Sequence, residues 1–204
     1  MELKSKQRFF LSVFFFLSGV CFSSWASRIP TIKTTFGFNE AELGTILLAM
    51  PISSLIGLPI SGWLVARFDS RVPMAVAFVM LAVSLSLIGF ATKTFMLVVS
   101  ICLLAFSFRI INISMNTQAI KLQKLFDRKI NGSFHGVWST GGIVGVGFST
   151  LLVAMNVSIR VHLLVVAILT LFTTFFSYRF LISNDKSPSG KNSFSASRIH
   201  TSFT

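Results

Sequence analysis

Residues 95–118 read FMLVVSICLLAFSFRIINISMNTQ, a stretch with no acidic residue and one base, Arg109. A hydrocarbon core of about 30 Å takes about 20 residues of helix, so this run is long enough to cross it. Strands of a membrane barrel cross in about half that length. Five more runs of the same character lie to either side, at roughly 9–27, 43–66, 73–91, 135–156 and 161–182. Each is mostly Leu, Ile, Val, Phe, Ala, Gly and Ser, and the breaks between them are short and polar. Only helices satisfy the backbone of such runs in lipid. The pattern predicts an all-α membrane protein with six transmembrane helices over residues 1–182. Residues 183–204, with seven serines and no apolar run, predict a polar, disordered tail.

Composition excludes other classes. Hydrophobic residues make up 53% of the 204 and charged residues 12%, against about 25% charged in a soluble domain. Mean hydropathy is +0.78. A net charge of +12 would suit nucleic acid if the bases formed one patch. They lie singly or in small groups between apolar runs, as loops beside lipid headgroups do. No nucleic acid is expected, and the lipid bilayer is the first partner. Cys21 and Cys102 fall inside apolar runs, without the spacing of a metal site or disulfide. The chain shows no dense His, Asp and Glu cluster, and neither metal nor cofactor is expected.

Charge sets the orientation. With the N-terminus inside, the cytoplasmic side holds Lys4, Lys6, Arg8, Arg67, Arg71, Lys121, Lys124, Arg128, Lys129 and four bases from Arg179 onward. The outside holds Arg28, Lys33, Lys93 and Arg160. Thirteen bases against four place both termini in the cytoplasm. Lys4, Lys6 and Arg8 before a Phe-rich stretch also have the look of a signal peptide. With five spans following, a retained first helix is the better reading.

Arg109 lies deep in the fourth span, where a guanidinium is costly unless it faces protein or water. Asn112 and Asn116 follow at i+3 and i+7 on the same helical face. This polar stripe is the foremost candidate for a solute pathway, the other reading being an interhelical hydrogen-bond network. In the first span Ser12, Gly19, Ser23 and Ser27 form a second small and polar face. Trp25 and Arg28 near its outer end are candidates for the pathway or, more ordinarily, interface anchors. The fifth span opens with His135 and Trp138, also pathway candidates, and continues with Gly141 and Gly145, a GxxxG pair suited to close helix packing. Pro51, Gly57 and Pro59 predict kinks in the second span. No Asp or Glu lies within any predicted span.

The turn Gly62-Trp-Leu-Val-Ala-Arg67-Phe-Asp69-Ser-Arg71 resembles the cytoplasmic signature G-x-x-x-D-R-x-G-R-R of the major facilitator superfamily. Gly62, Arg67 and Arg71 match. Ala66 stands where the acid is expected and Asp69 where the second glycine is expected, so Asp69 would supply the charge from a shifted position. In that family the turn is a charged latch, which implies a gating role for Gly62, Arg67, Asp69 and Arg71. Trp25-Ala26-Ser27-Arg28-Ile29-Pro30 followed by Leu43-Gly44, and Met115-Asn116-Thr117-Gln118-Ala119 followed by Ser133-Phe134-His135-Gly136, are similar to a bacterial branch related to fucose-type sugar permeases. Relatives in that branch often have Asp at the position of Asn112, which would leave this chain neutral there.

The resemblance implies the N-terminal half of a 12-helix fold and a secondary transporter of a small polar solute, a sugar or related metabolite, in a bacterial inner membrane. Such carriers bind solute between two six-helix halves. Three arrangements fit a six-span chain: a truncated product, one half of a split transporter, or a half that pairs with a second copy. Truncation is favoured, because a lone half would turn the stripe of Arg109, Asn112 and Asn116 toward lipid. The alternative function is a non-catalytic six-helix subunit whose polar face binds a partner bundle. An enzyme is not expected. Gly147-Phe148-Ser149 faintly resembles the serine motif of an intramembrane protease, with His162 as the later membrane histidine, but the surrounding glycines do not fit.

Overall fold

Every backbone N–H and C=O within hydrocarbon must find a partner in its own segment, and this chain meets that demand with helix. The computed structural model describes residues 2–127 and 129–183, and among them there is no strand. The elements are α1 (Leu3–Ala26), α2 (Ile29–Phe36), α3 (Glu40–Leu47), α4 (Ala49–Arg67), α5 (Arg71–Phe90), α6 (Thr94–Gln123), α7 (Asn131–Ala154), α8 (Ile159–Ser177) and a closing 3₁₀ turn, Tyr178–Phe180. Six stretches are long and apolar enough to cross a membrane, α1 with α2 forming the first and α3 with α4 the second. The tail beyond 183, and Arg128, lie outside the described residues.

Several helices outrun the apolar runs that predict them. α1 begins at Leu3, carrying Lys4, Lys6 and Arg8 on its first turns. α6 has 30 residues, about 45 Å at 1.5 Å per residue, so its last turns stand clear of the core. Polar residues continue a helix into headgroups or water unless a cap stops it. Gly37 is such a stop: at φ 70° it takes the left-handed conformation that closes α2. Two residues later Asn39 opens α3 with a reciprocal capping box, Glu42 N–H donating to Asn39 Oδ1 and Asn39 N–H to Glu42 Oε2, both at 2.9 Å. Lys33 and Glu40 pair across the turn.

The second span is interrupted at Leu48, between α3 and α4. Pro51 has no N–H to give the preceding turn, and the adjoining bond, Ile52 N–H to Leu48 O, is stretched to 3.5 Å. At Pro59 α4 continues without a break.

Packing follows side-chain size. α1 lies against α7, α6 against α4 and α5, and α5 against α8, while α1 also meets α6 and α8. The α1–α7 crossing is a glycine seam. A Cβ on Gly19 would collide with the Trp138 carbonyl, one on Gly141 with the Phe16 carbonyl, and one on Gly145 would lie 2.9 Å from Val20 O. Phe14 and Phe78, both fully buried, meet with ring centroids 5.1 Å apart between α1 and α5. α1, α5 and α6 form the interior. Exposed apolar side chains concentrate elsewhere, with Ile52, Leu55 and Ile56 on α4 and Ile143 and Val144 on α7. Phe10 stacks on Phe180 at 4.0 Å, so α1 begins and α8 finishes at one end of the bundle, here the near end.

Candidate functional site

Midway through the bundle α1, α4, α6 and α7 draw apart around a cavity of about 490 Å³, within the range of small-molecule sites. α6 contributes Phe108, Arg109, Asn112 and Met115; α7 adds His135 and Trp138 across from them. Phe15, Ser18 and Phe22 of α1 form another wall, and Met50, Pro51 and Ser54 of α4 the last. The break at Leu48 brings Met50 and Pro51 to this wall at the first turn of α4.

Arg109 is half-buried and its Nε donates to Ser54 Oγ at 2.9 Å. Gly57, one turn along α4 from Ser54, makes room for its stem. A Cβ on Gly57 would lie 3.3 Å from the Arg109 Cβ and Cγ and 3.1 Å from the Phe106 ring. Arg109 is the one permanently charged side chain among the lining residues, and no acid lines the cavity. Aromatic edges close one side, Phe22 lying 5.8 Å from Phe108 and 6.3 Å from Trp138 between centroids. His135 stands edge-on to Phe15 at 5.8 Å.

The polar stripe of α6 divides. Arg109 and Asn112 reach the cavity, whereas Asn116 turns back on its own helix. Its Nδ2 donates to the Asn112 carbonyl at 2.8 Å and to Asn112 Oδ1 at 3.3 Å. Asn116 therefore orients Asn112 rather than lining the space.

Trp25 and Arg28 lie apart from the cavity, at the far end. Arg28 is 3% exposed, its Nε donating to His162 Nδ1 and its Nη2 to the Val157 carbonyl, each at 2.9 Å. These bonds tie the end of α1 to α8 and to the turn before it. Trp25 is buried beside them, its indole N–H without a partner among the described residues.

Ser149 Oγ and His162 Nε2 are 3.5 Å apart, the contact nearest to hydrolytic chemistry among the described residues. Its wiring runs the wrong way. Arg28 donates to Nδ1, so a neutral His162 carries its proton on Nε2 and cannot take one from Ser149. Ser149 already donates to the Gly145 carbonyl at 2.7 Å, and both side chains are fully buried.

At the near end Asp69 and Arg71 pair at 3.8 Å, and the Arg71 guanidinium lies 5.4 Å from the centre of the Tyr178 ring. Arg67 is exposed on the last residue of α4, and Gly62 faces open space. The turn is held from α6 by Gln118, which is 1% exposed. Its Nε2 donates to Ser70 Oγ at 2.8 Å and to the Ile182 carbonyl at 2.9 Å, and its Oε1 accepts from Ile182 N–H at 3.0 Å. One buried amide thus joins the turn between α4 and α5 to the end of α8. Sequence reasoning passed over Ser54, Met50 and Gln118 as site residues, because a serine, methionine or glutamine in such a span has no spacing that marks it.

The model of the family described as Major Facilitator Superfamily matches residues 8–203. The chain is 32% identical over 133 residues to an uncharacterised transporter of that type from Yersinia pestis, an alignment covering 65% of this chain and 35% of the relative. It is 29% identical over 155 residues to an uncharacterised transporter of Sinorhizobium fredii, covering 76% and 41%. Membrane protein MosC of Rhizobium meliloti is 30% identical over 161 residues, covering 75% and 39%. Among solved structures, the nucleoside transporter NupG superposes with a TM-score of 0.72 at 17% identity, covering 91% of this chain and 45% of its own. This chain spans less than half the length of the relatives it matches.

Proposed function

This chain belongs to the major facilitator superfamily, and from that premise we propose that it is the six-helix part of a secondary transporter for a small polar solute, working by alternating access. Six apolar spans and bacterial relatives make it a multi-pass protein of the bacterial inner membrane. The observation that carries the proposal is the mid-bundle cavity, where Arg109 and Asn112 face His135 and Trp138. A charge held half-buried within a span and open to a cavity is a mark of a solute pathway through lipid. Asn116 acts through Asn112, and Trp25 and Arg28 support the far end of the bundle. The near end, which we place in the cytoplasm on the distribution of bases, carries Gly62, Arg67, Asp69 and Arg71 as the gating turn, braced by Gln118. The stretches from Trp25 and from Met115 support a place beside the fucose-type sugar permeases, and a sugar or related metabolite as solute. The partner in this reading is a second six-helix half facing the cavity.

The test is uptake into proteoliposomes holding this chain alone or together with a co-expressed C-terminal half of a relative. Solute accumulation by the paired preparation, lost in Arg109→Gln, is expected. No uptake of any sugar or sugar derivative by either folded preparation would count against transport. A second reading draws on the polar stripe of α6, where Arg109 and Asn112 open onto the cavity: a non-enzymatic subunit whose polar face binds a partner bundle. Its distinguishing result is a stable complex with a membrane protein of another family, recovered without any uptake.

A further inference from the structure

Arg109 has commitments on one side only. Its Nε is used on Ser54 at 2.9 Å, and none of the ion pairs among the described residues includes it. No acid lines the cavity it faces. Its two Nη groups are therefore left to whatever occupies the space, and a guanidinium presents them as a planar fork that fits a carboxylate or a phosphate with two parallel hydrogen bonds. Asn112 is set up to help. Because Asn116 Nδ2 donates to Asn112 Oδ1 at 3.3 Å, the carbonyl end of the Asn112 amide is engaged and its NH₂ end is the one free to donate. Both groups arriving at the cavity from α6 are then donors, one of them charged. A cationic solute would be repelled there. A neutral one would leave the guanidinium uncompensated.

The wall across from them carries aromatic rings beside His135. Phe22 lies 6.3 Å from Trp138 and 5.8 Å from Phe108 of α6 between centroids, a surface for the carbon body of a solute. We infer that the cavity binds a small organic anion, its carboxylate or phosphate held by the Arg109 Nη groups and the Asn112 amide and its carbon skeleton laid against Phe22 and Trp138. The inference rests on the cavity being a solute site, and it narrows the solute class within the transport reading.

Phenylglyoxal labelling, read residue by residue by mass spectrometry on the wild-type chain in phosphatidylcholine nanodiscs, tests it. Arg67, exposed at the near end, is the internal control. Probes come in matched pairs, glucuronate with glucose and benzoate with benzamide, together with inorganic phosphate and a preparation containing phosphatidylglycerol. Supplied at about ten times its Kd, at least one soluble anion should slow labelling of Arg109 about tenfold, since the free fraction falls as 1 + [L]/Kd, while its neutral partner at the same concentration does not and Arg67 is unchanged. Equal protection by glucose or benzamide overturns the anion and keeps the cavity as a solute site. Protection by phosphatidylglycerol alone assigns the guanidinium to a lipid headgroup and overturns the solute. No protection, or equal slowing at Arg67, overturns the inference too. Transport is decided separately by uptake, so the two readings fail on different measurements.

Discussion

Two arginines of this chain, Arg28 in the turn between α1 and α2 and Arg109 within α6, are treated in opposite ways. Arg28, just past the far end of α1, is 3% exposed and both its Nε and its Nη2 are bonded, to His162 and to the Val157 carbonyl. Arg109, halfway along α6, is half-buried, has one bond to Ser54 and opens onto a cavity. Burial of a guanidinium is tolerated only when its donors are used. At Arg28 the protein uses them itself, and the result is a clasp between helices. At Arg109 it leaves them for a visitor. In lipid, the rarity of a charge marks neither role; the state of its donors does.

The largest effect that divides the two is on stability. Arg28→Met leaves the fully buried His162 Nδ1 without its donor, at about 1–3 kcal/mol, and removes the part-buried bond to the Val157 carbonyl, worth about 1 kcal/mol. Unfolding in detergent should show a loss of about 2–4 kcal/mol in total, with little effect on Arg109 labelling. An Arg28→Met chain as stable as wild type would erase the contrast. Arg109→Met should reverse the pattern. Its stability should stay within about 1 kcal/mol of wild type, one partly exposed hydrogen bond being all that is lost, while solute uptake or binding falls by tenfold or more.

Much of this was open to reading in the sequence, and the limits have physical reasons. Six long apolar runs admit one backbone solution in lipid, so the helices follow from the residues alone. The pairing of Arg109 with Asn112 follows from helical periodicity, since i and i+3 share a face. What periodicity cannot supply is a partner on another helix. Ser54 is 55 residues from Arg109, and His162 is 134 from Arg28. Both are residue types that in an apolar span signal packing as readily as function. Asn116 shows the other limit. It shares the face of Asn112, and its amide bends back to the preceding turn, as Asn side chains do when a local acceptor is in reach. Arg28 and Trp25 stood beside Arg109 as candidates for the pathway, and only the structure shows that neither lines the cavity and that Arg28 bonds to His162.

A smaller effect sharpens the Arg109 side of the comparison. Ser54→Ala removes the one fixed bond to its Nε, worth about 1 kcal/mol. The guanidinium then samples more orientations, and solute binding should weaken about fivefold through that loss of preorganisation. Stability should barely move, because the serine hydroxyl is lost with its bond and Arg109 keeps access to the cavity. Ser54→Thr, which retains the acceptor, should restore most of the affinity.

The smallest expected effect comes from Gly57→Ala. The added Cβ would stand 3.3 Å from the Arg109 stem and 3.1 Å from the Phe106 ring, closer than ordinary carbon contacts of about 3.5–4.0 Å. Alanine is the better helix former by about 1 kcal/mol, and that gain offsets the crowding, so unfolding midpoints should shift little. What moves is the arginine. Its stem must give by a few tenths of an ångström, which displaces the Nη fork relative to Asn112. Binding should therefore fall by about twofold to fivefold without loss of stability, a split that a merely structural glycine would not produce. Equal losses in both would make Gly57 a packing residue, and Arg109 would then owe its position to Ser54 alone.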